Sequence, residues 1–118
     1  MLLNDLAATS AQVAATAARN EKQRILVAAI VDLQEAELAV GVSYLAGLVP
    51  QGSFGIGYAS LRDLPPPVAT ATLSLVDVDA AFSTMASLSG PGSATRRRAE
   101  IDRLFAAATA TGQRFLQA

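Results

Sequence analysis

The side chains best suited to hold a charged ligand in this sequence are its arginines, several of which cluster near the carboxyl end. Arg96, Arg97 and Arg98 are consecutive and follow the turn-forming residues 89–93, SGPGS. A helix that begins after such a turn offers unpaired backbone N–H groups and the positive end of its dipole to an anion. Because successive helical residues point about 100° apart, three arginines would reach different phosphates rather than one. The segment therefore predicts a site for a phosphate backbone.

The same arginines also allow a purely structural interpretation. On a helix, Arg97 or Arg103 lies within reach of Glu100 or Asp102, and exposed pairs of this kind are common and contribute little to stability. From this segment alone, a solvated charge run and a phosphate site both remain open.

A second group of basic residues surrounds the start of a predicted helix. It contains Arg19, Lys22 and Arg24, and no further Lys or Arg occurs before Arg62. Lys22 is the only lysine, in a polar stretch where exposure or a phosphate contact suits it better than a role as a catalytic nucleophile. The net charge of −1 and the pI near 5.2 nevertheless argue against a nucleic-acid partner for the chain as a whole.

The composition excludes several kinds of chemistry. The chain has no Cys and no His, which removes Cys or His zinc sites, disulfides and nucleophiles activated by histidine. Asp77 and Asp79 are better explained by helix capping than as metal ligands, because no further ligands stand at a suitable spacing. Residues 52–57, GSFGIG, match neither a phosphate loop nor a dinucleotide fingerprint and are predicted to form a packing turn. No catalytic residue and no metal ligand is predicted.

An alanine-rich composition and apolar residues at helical spacing predict an all-α fold, a single compact domain of about five to six helices. Asn4, Asp77 and Ser93 are the predicted N-caps. The prolines at 65–67 predict an extended crossing to about residue 76. The predicted helices cover residues 4–18, 20–34, 38–49 and 77–88, with a short helical turn at 59–63 and a last helix from residue 93 to the chain end.

The chain ends and the apolar stretches bear on where the protein works. No Gly, Pro or capping residue ends the last predicted helix, so a C-terminally truncated domain is expected. Pro50 interrupts the uncharged stretch 38–61 and leaves residues 38–49 as its continuous apolar helix, which is too short to cross a membrane. The first residues include Asp5 and lack the basic start of a signal peptide. We therefore expect a cytoplasmic chain.

Several motifs occur in a characteristic order. The strongest are LSGPGS at 88–93, the arginines that follow, LFAAAT at 104–109 and RFL at 114–116. Further segments are LAG at 45–47, PQ at 50–51, GIGYASL at 55–61, LPPP at 64–67, AATS at 7–10 and residues 15–22. In these motifs the chain resembles, over nearly its whole length, the N-terminal, all-helical DNA-binding domain of bacterial ATP-dependent DNA ligases.

The resemblance implies that residues 1–118 are part of such a domain, without the nucleotidyltransferase and OB domains of the parent ligase. A domain of this family binds nicked duplex DNA through the backbone and the minor groove, without sequence specificity. Carried onto this sequence, the resemblance assigns DNA contacts to Ser89, Gly90, Gly92, Ser93, Arg96, Arg97 and Arg98, and a second set to Thr16, Arg19 and Lys22. Ala18 stands where the family often has a hydroxyl residue, and Pro91 changes which turn amides point outward.

The chain lacks the Lys-x-Asp-Gly motif that carries AMP in this family, so it should be inactive alone and hold no cofactor. ATP and Mg²⁺ are expected in the parent enzyme, which by resemblance seals nicks through enzyme-AMP and DNA-adenylate intermediates in replication, repair and recombination. The expected partners are nicked double-stranded DNA and the catalytic domains of the parent. A monomer without membrane contact is expected, associated with the nucleoid when bound to DNA.

A function of another class also remains open. The apolar helix at 38–49, or the last helix, could meet a protein partner, and the overall acidity fits a helical interaction module that does not bind nucleic acid. Affinity for DNA separates these two hypotheses.

Overall fold

Six α-helices account for most of the described residues, as the alanine-rich sequence predicts. The computed structural model describes residues 1–51 and 63–117. Within these ranges there is no β-strand, only an isolated antiparallel bridge between Leu2 and Ser74, so the all-α prediction is confirmed. The predicted turn at 52–57 and most of the helical turn at 59–63 lie outside the described residues. The helices are α1 (Leu3–Ala14), α2 (Arg19–Asp32), α3 (Glu35–Leu45), α4 (Leu75–Ser87), α5 (Ser93–Ala106) and α6 (Ala110–Gln117).

Helix α4 begins with a reciprocal capping box. The Ser74 hydroxyl accepts a hydrogen bond from the Asp77 N–H at 3.1 Å, and the Asp77 carboxylate accepts one from the Ser74 N–H at 3.2 Å. Ser74 is therefore the N-cap. The prediction that Asp77 caps this helix is wrong, because its carboxylate reaches back to the cap from inside the first turn.

The start of α1 and the break between α5 and α6 meet at one polar contact. Leu2, not Asn4, is the N-cap of α1, and the Asn4 side-chain oxygen instead accepts a hydrogen bond from the Thr109 hydroxyl at 2.6 Å. The Thr109 hydroxyl in turn accepts one from the Gly112 N–H at 3.2 Å, which caps the start of α6. The prediction of a single last helix is therefore wrong, because the helical segment is interrupted between Ala106, where α5 ends, and Ala110, where α6 begins.

Helix α3 starts and ends earlier than the predicted range 38–49. It ends at Leu45 because Gly47, with φ of 77°, adopts the left-handed conformation. The Gly47 N–H then donates to the Tyr44 carbonyl at 3.0 Å, and the Leu48 N–H donates to the Ser43 carbonyl at 2.8 Å. This pair of bonds is a Schellman motif, which satisfies the last helical carbonyls and turns the chain away.

The starts of α1 and α4 lie side by side, and this junction organises the bundle. The Leu3 N–H donates to the Leu73 carbonyl at 2.8 Å, and the Leu75 N–H donates to the Met1 carbonyl at 3.1 Å. From the junction, α2 packs back along α1 and α5 packs back along α4. The start of α2 and the start of α5 are thus the ends of these helices that lie away from the junction.

Helices α1, α4 and α6 line a common cavity. Its volume is about 230 Å³, and Ser10 of α1, Phe82 of α4 and Phe115 of α6 are among its lining residues. The two basic groups lie at the starts of α2 and α5.

The core lies mainly between α1, α4 and α5. Leu6, Leu75, Val78 and Met85 have no exposed surface. Tyr44 of α3 packs edge-on against Phe82, with 6.2 Å between the ring centres. The other buried members of this cluster are Leu3, Ala81, Ile101, Leu104 and Phe105.

One buried charge in this fold is paired. Glu37 of α3 is only 4% exposed. Its carboxylate accepts hydrogen bonds from the amino group of Met1 and from the Gln34 N–H, the latter at 3.0 Å. These two contacts hold the pKa of Glu37 below its usual range, and the contact with the amino group has the larger effect.

We expect this pair to make stability depend on acidity. A carboxyl whose folded pKa is lowered contributes stability above its unfolded pKa of about 4.3, and the contribution is lost as the pH falls through the folded value. Glu37→Gln should therefore have a lower melting temperature than the wild type at about pH 7. On acidification to about pH 2.5, the melting temperature of the variant should fall by less than that of the wild type. Glu35→Gln, on the exposed side of the same helix, is the control and should behave as the wild type. Equal acid sensitivity of Glu37→Gln and wild type would contradict this role.

Candidate nucleic-acid interface

The turn between α4 and α5 is built around two glycines with left-handed backbone. Gly90 has φ of 80° and Gly92 has φ of 79°, and the Ser93 N–H donates to the Gly90 carbonyl at 3.2 Å. Residues 89–92 are all exposed, and a Cβ built on either glycine would meet open space. Glycine is therefore required here by the backbone conformation and not by crowding within the protein.

Helix α5 begins without a capping side chain. Its N-cap is Gly92, so the prediction that Ser93 caps the helix is wrong, and Ser93 is the first helical residue. The Arg96 N–H makes the first helical bond, to the Gly92 carbonyl at 3.2 Å. The amides of the exposed Ala94 and Thr95 have no acceptor among the described residues. These amides and the positive end of the helix dipole face solvent, which is an arrangement that attracts an anion.

The three consecutive arginines have three different environments. Arg96 is exposed, and its side chain has no hydrogen bond or ion pair with the described part of the chain. Arg97 is half-buried and donates from Nη2 to the Leu88 carbonyl at 3.1 Å. Arg98 donates from Nη2 to the Asp63 carbonyl at 2.9 Å, and its Nε lies 3.1 Å from Asp102 Oδ1. Only Arg96 thus extends freely from the turn toward a ligand.

The ion pairs of the structural interpretation are present in part. Arg103 pairs with Glu100, as that interpretation predicts. Asp102 pairs with Arg98 instead of Arg97 or Arg103. The carboxylates of α5 therefore offset the charge of the later arginines and leave the positive charge concentrated at its start.

The second predicted set lies at the start of α2. Ala18 is the N-cap and supplies no side-chain oxygen, while the Thr16 hydroxyl accepts a hydrogen bond from the Ala18 N–H at 3.2 Å. Arg19 is exposed and Lys22 is half-buried in the first turn. The set therefore lies at the start of a helix, as the first set does.

Gln51 has a structural role that the charge pattern of the sequence does not predict. Its Nε2 lies 2.6 Å from Asp79 Oδ1 and 2.9 Å from Ser83 Oγ, so the side chain ties the residue before the 52–62 segment to α4. In the sequence, Gln51 stands out only as part of the Pro50-Gln51 pair, one of the motifs on which the resemblance to DNA ligases rests. This contact joins α4, which leads into the glycine turn, to the chain that follows α3.

Residues 1–51 and 63–117 contain no group of three Asp or Glu side chains that could hold a metal ion. No helix in these ranges is long and apolar enough to cross a membrane.

The described residues thus form an all-α bundle in which α2 and α5 begin with basic residues and without a capping side chain, and helix starts of this kind can bind anions. The chain is 45% identical over 118 residues to "Probable DNA ligase" of Streptomyces griseus, covering 100% of this chain and 23% of the relative. It is 47% identical over 121 residues to "Probable DNA ligase" of Beutenbergia cavernae, covering 99% of this chain and 23% of the relative. It is 43% identical over 120 residues to "DNA ligase B" of Mycobacterium tuberculosis, covering 98% of this chain and 23% of the relative.

The chain is thus similar, over its whole length, to the N-terminal segment of bacterial proteins named DNA ligase. It spans about a quarter of the length of these curated relatives. No protein-family model and no solved structure matches the chain.

Proposed function

We propose that this chain binds duplex DNA through its phosphate backbone, as the N-terminal DNA-binding part of an ATP-dependent DNA ligase. The observation that carries the proposal is the start of α5, where a two-glycine turn, unpaired amides and the free Arg96 side chain face solvent together. The similarity to DNA ligases supports DNA as the source of the phosphates.

The contacts of such a site are to phosphate groups. The amides of Ala94 and Thr95 would donate hydrogen bonds to a phosphate oxygen at the positive end of the helix dipole, and Arg96 would bind a neighbouring phosphate. Because Gly90 and Gly92 carry no side chains, the DNA backbone can approach the turn closely, as a shallow contact across the minor groove requires. Phosphate contacts carry no sequence information, so binding is independent of sequence and suits nicks at any position.

The start of α2 supplies a second contact in this proposal. Arg19 and Lys22 lie in its first turn and carry positive charge at a helix start, as Arg96 does. Thr16 contributes to DNA binding indirectly in this proposal. Its hydroxyl accepts a hydrogen bond from the Ala18 N–H and thereby stabilises the turn that leads into α2.

Ligation chemistry is assigned to other parts of the parent enzyme. The single lysine, Lys22, is followed by Gln23 and Arg24 and not by the Asp-Gly of the motif that carries AMP. We propose that ATP and Mg²⁺ are held by the other domains of the parent enzyme. We propose that the catalytic domains of the parent act beside this one in replication, repair or recombination in the bacterial cytoplasm, on the nucleoid.

The proposal is tested by titrating a labelled nicked duplex with the chain at several salt concentrations. If about four phosphates are neutralised, the slope of log K against log[salt] should be about −3 to −4. Arg96→Met should make the slope shallower by about 0.9 and weaken binding about five- to tenfold near 0.1 M salt. The control is Arg103→Met, which removes the same charge from α5 at an exposed side chain paired with Glu100. Equal binding by both variants would sink the site, and no binding by the wild type would sink the function.

A helical protein-interaction module is the second candidate. Leu38 and Val42 on α3 are 43% and 42% exposed, and Leu48, just after α3, is 63% exposed. These apolar side chains would suit a protein partner. The DNA titration separates the two functions, because such a module has no affinity that depends on salt in this way.

A further inference from the structure

We propose that Arg97 is a positioning residue that holds the DNA-binding turn in shape and does not itself bind phosphate. The inference rests on the proposed function of the turn. It assigns different roles to three adjacent arginines that the sequence alone treats alike.

Arg97 joins the two ends of the turn. Leu88 is the C-cap of α4, so its carbonyl has no partner within that helix. The Arg97 guanidinium, from the second turn of α5, donates Nη2 to this carbonyl at 3.1 Å. This hydrogen bond connects the residue before the turn 89–92 to the helix after it. Within the turn, the Ser93 N–H donates to the Gly90 carbonyl.

Arg97 is half-buried and its bonded partner lies within the protein. Its Nε is buried and meets no acceptor among the described residues, while Nη2 is already bonded to Leu88. Two of the three guanidinium nitrogens are therefore engaged with or enclosed by the protein, which favours a structural role over a phosphate contact. By contrast, Arg96 is exposed, with no partner in the described part of the chain.

The expected consequence is a separation of affinity from salt dependence. Without Arg97, the Leu88 carbonyl loses its donor and the two-glycine turn is free to adopt other conformations. The phosphate-binding amides are then no longer pre-organised, and binding weakens because ordering them opposes association. The number of neutralised phosphates does not change, so the slope against salt stays the same.

The bracing is tested first without DNA, by hydrogen exchange of the Ser93 and Arg96 amides. Arg97→Met should raise these exchange rates about tenfold, as expected for the loss of one charge-assisted hydrogen bond. Arg96→Met is the matched control and should leave them unchanged. Unchanged rates in Arg97→Met would overturn the bracing role, whatever the DNA titration gives.

The salt titration then tests the role in binding. Arg97→Met should weaken binding to the nicked duplex about three- to tenfold at every salt concentration with an unchanged slope, and Arg96→Met should change the slope by about 0.9. A slope change of that size in Arg97→Met, or an unchanged affinity, would overturn the inference. If the wild type does not bind duplex DNA at all, the proposed function falls and this inference falls with it.

A measurement on the wild-type chain covers the case in which Arg97→Met does not fold. The buried Arg97 Nε–H should exchange slowly with solvent in the free protein, and its resonance should stay in place when the nicked duplex is added. The Arg96 Nε–H should exchange fast when free and shift on addition of DNA. A shift of the Arg97 resonance as large as that of Arg96 would make Arg97 a DNA contact and refute the proposal.

Discussion

Replacing Phe105 with alanine should lower the free energy of unfolding by about 3 to 5 kcal/mol, which is the usual cost of deleting a buried aromatic ring. Phe105 is 3% exposed and packs in the main core cluster. Its backbone carbonyl also accepts a hydrogen bond from Gln113 Nε2 at 2.8 Å, which links α5 to α6. A cavity at this position therefore disturbs both helices at the point where the chain turns between them.

The measurement is urea denaturation followed by circular dichroism, with Val31→Ala as the control. Val31 lies on α2 and is 75% exposed, so its truncation removes little buried surface, and alanine is the better helix former. The control should stay within about 0.5 kcal/mol of the wild type. A loss of less than about 1 kcal/mol in Phe105→Ala would show that the ring is not a core residue.

This core position also bears on the candidate interface. Ile101, Leu104 and Phe105 fix the second half of α5 in the core, and Arg97 fixes its first half to Leu88. The exposed start of the helix is thus held by contacts on both sides of it. Removing either the core contacts or the Arg97 hydrogen bond should reduce the order of the turn while leaving its exposed residues unchanged.

The sequence predicts the helical class and the buried face of α5 correctly. Ile101, Leu104 and Phe105 recur at helical spacing and are buried, because a regular pattern of apolar side chains reports directly on the side that faces the core. The break after α5 could not be predicted in this way. Ala108 and Gly112 are also buried and keep the same spacing across the break, so the periodicity continues where the helix does not.

The helix starts were harder to predict than the helices. Asn4 and Asp77 have side chains that suit an N-cap, but each forms a different bond. Asn4 is bonded to Thr109, a contact between opposite ends of the chain that local pattern does not reveal. Leu2 is the N-cap in place of Asn4, and Ser74, through a capping box, in place of Asp77. At the start of α5, Gly92 with its left-handed backbone is the N-cap in place of Ser93.

The candidate site illustrates a similar limit. The arginine run and the glycine turn are visible in the sequence, and the sequence correctly places them at a helix start. The sequence does not reveal which arginine is free, because that depends on the Leu88 and Asp63 carbonyls and on Asp102. These environments, and not the net charge of −1, determine where positive charge is available.

Gly92→Ala should be the most damaging single substitution in the proposed interface. The backbone at this position has φ of 79°, which costs a residue with a Cβ about 1 to 2 kcal/mol. The added methyl group would also point into open space on the exposed side of the turn, where the DNA backbone is expected to approach. We therefore expect a loss of stability of about 1 kcal/mol and a loss of affinity for nicked duplex of about tenfold or more.

Gly47→Ala separates these two effects. Gly47 has φ of 77°, and a Cβ built there also meets no atom within 4 Å, so its substitution carries the same backbone strain. It lies in the turn that follows α3, which is not part of the turn before α5. The two variants should lose similar stability in urea denaturation, but only Gly92→Ala should lose affinity in the salt titration. If both variants bind nicked duplex as tightly as the wild type, the turn before α5 does not contact DNA, because a contact this close would not accommodate the added methyl group.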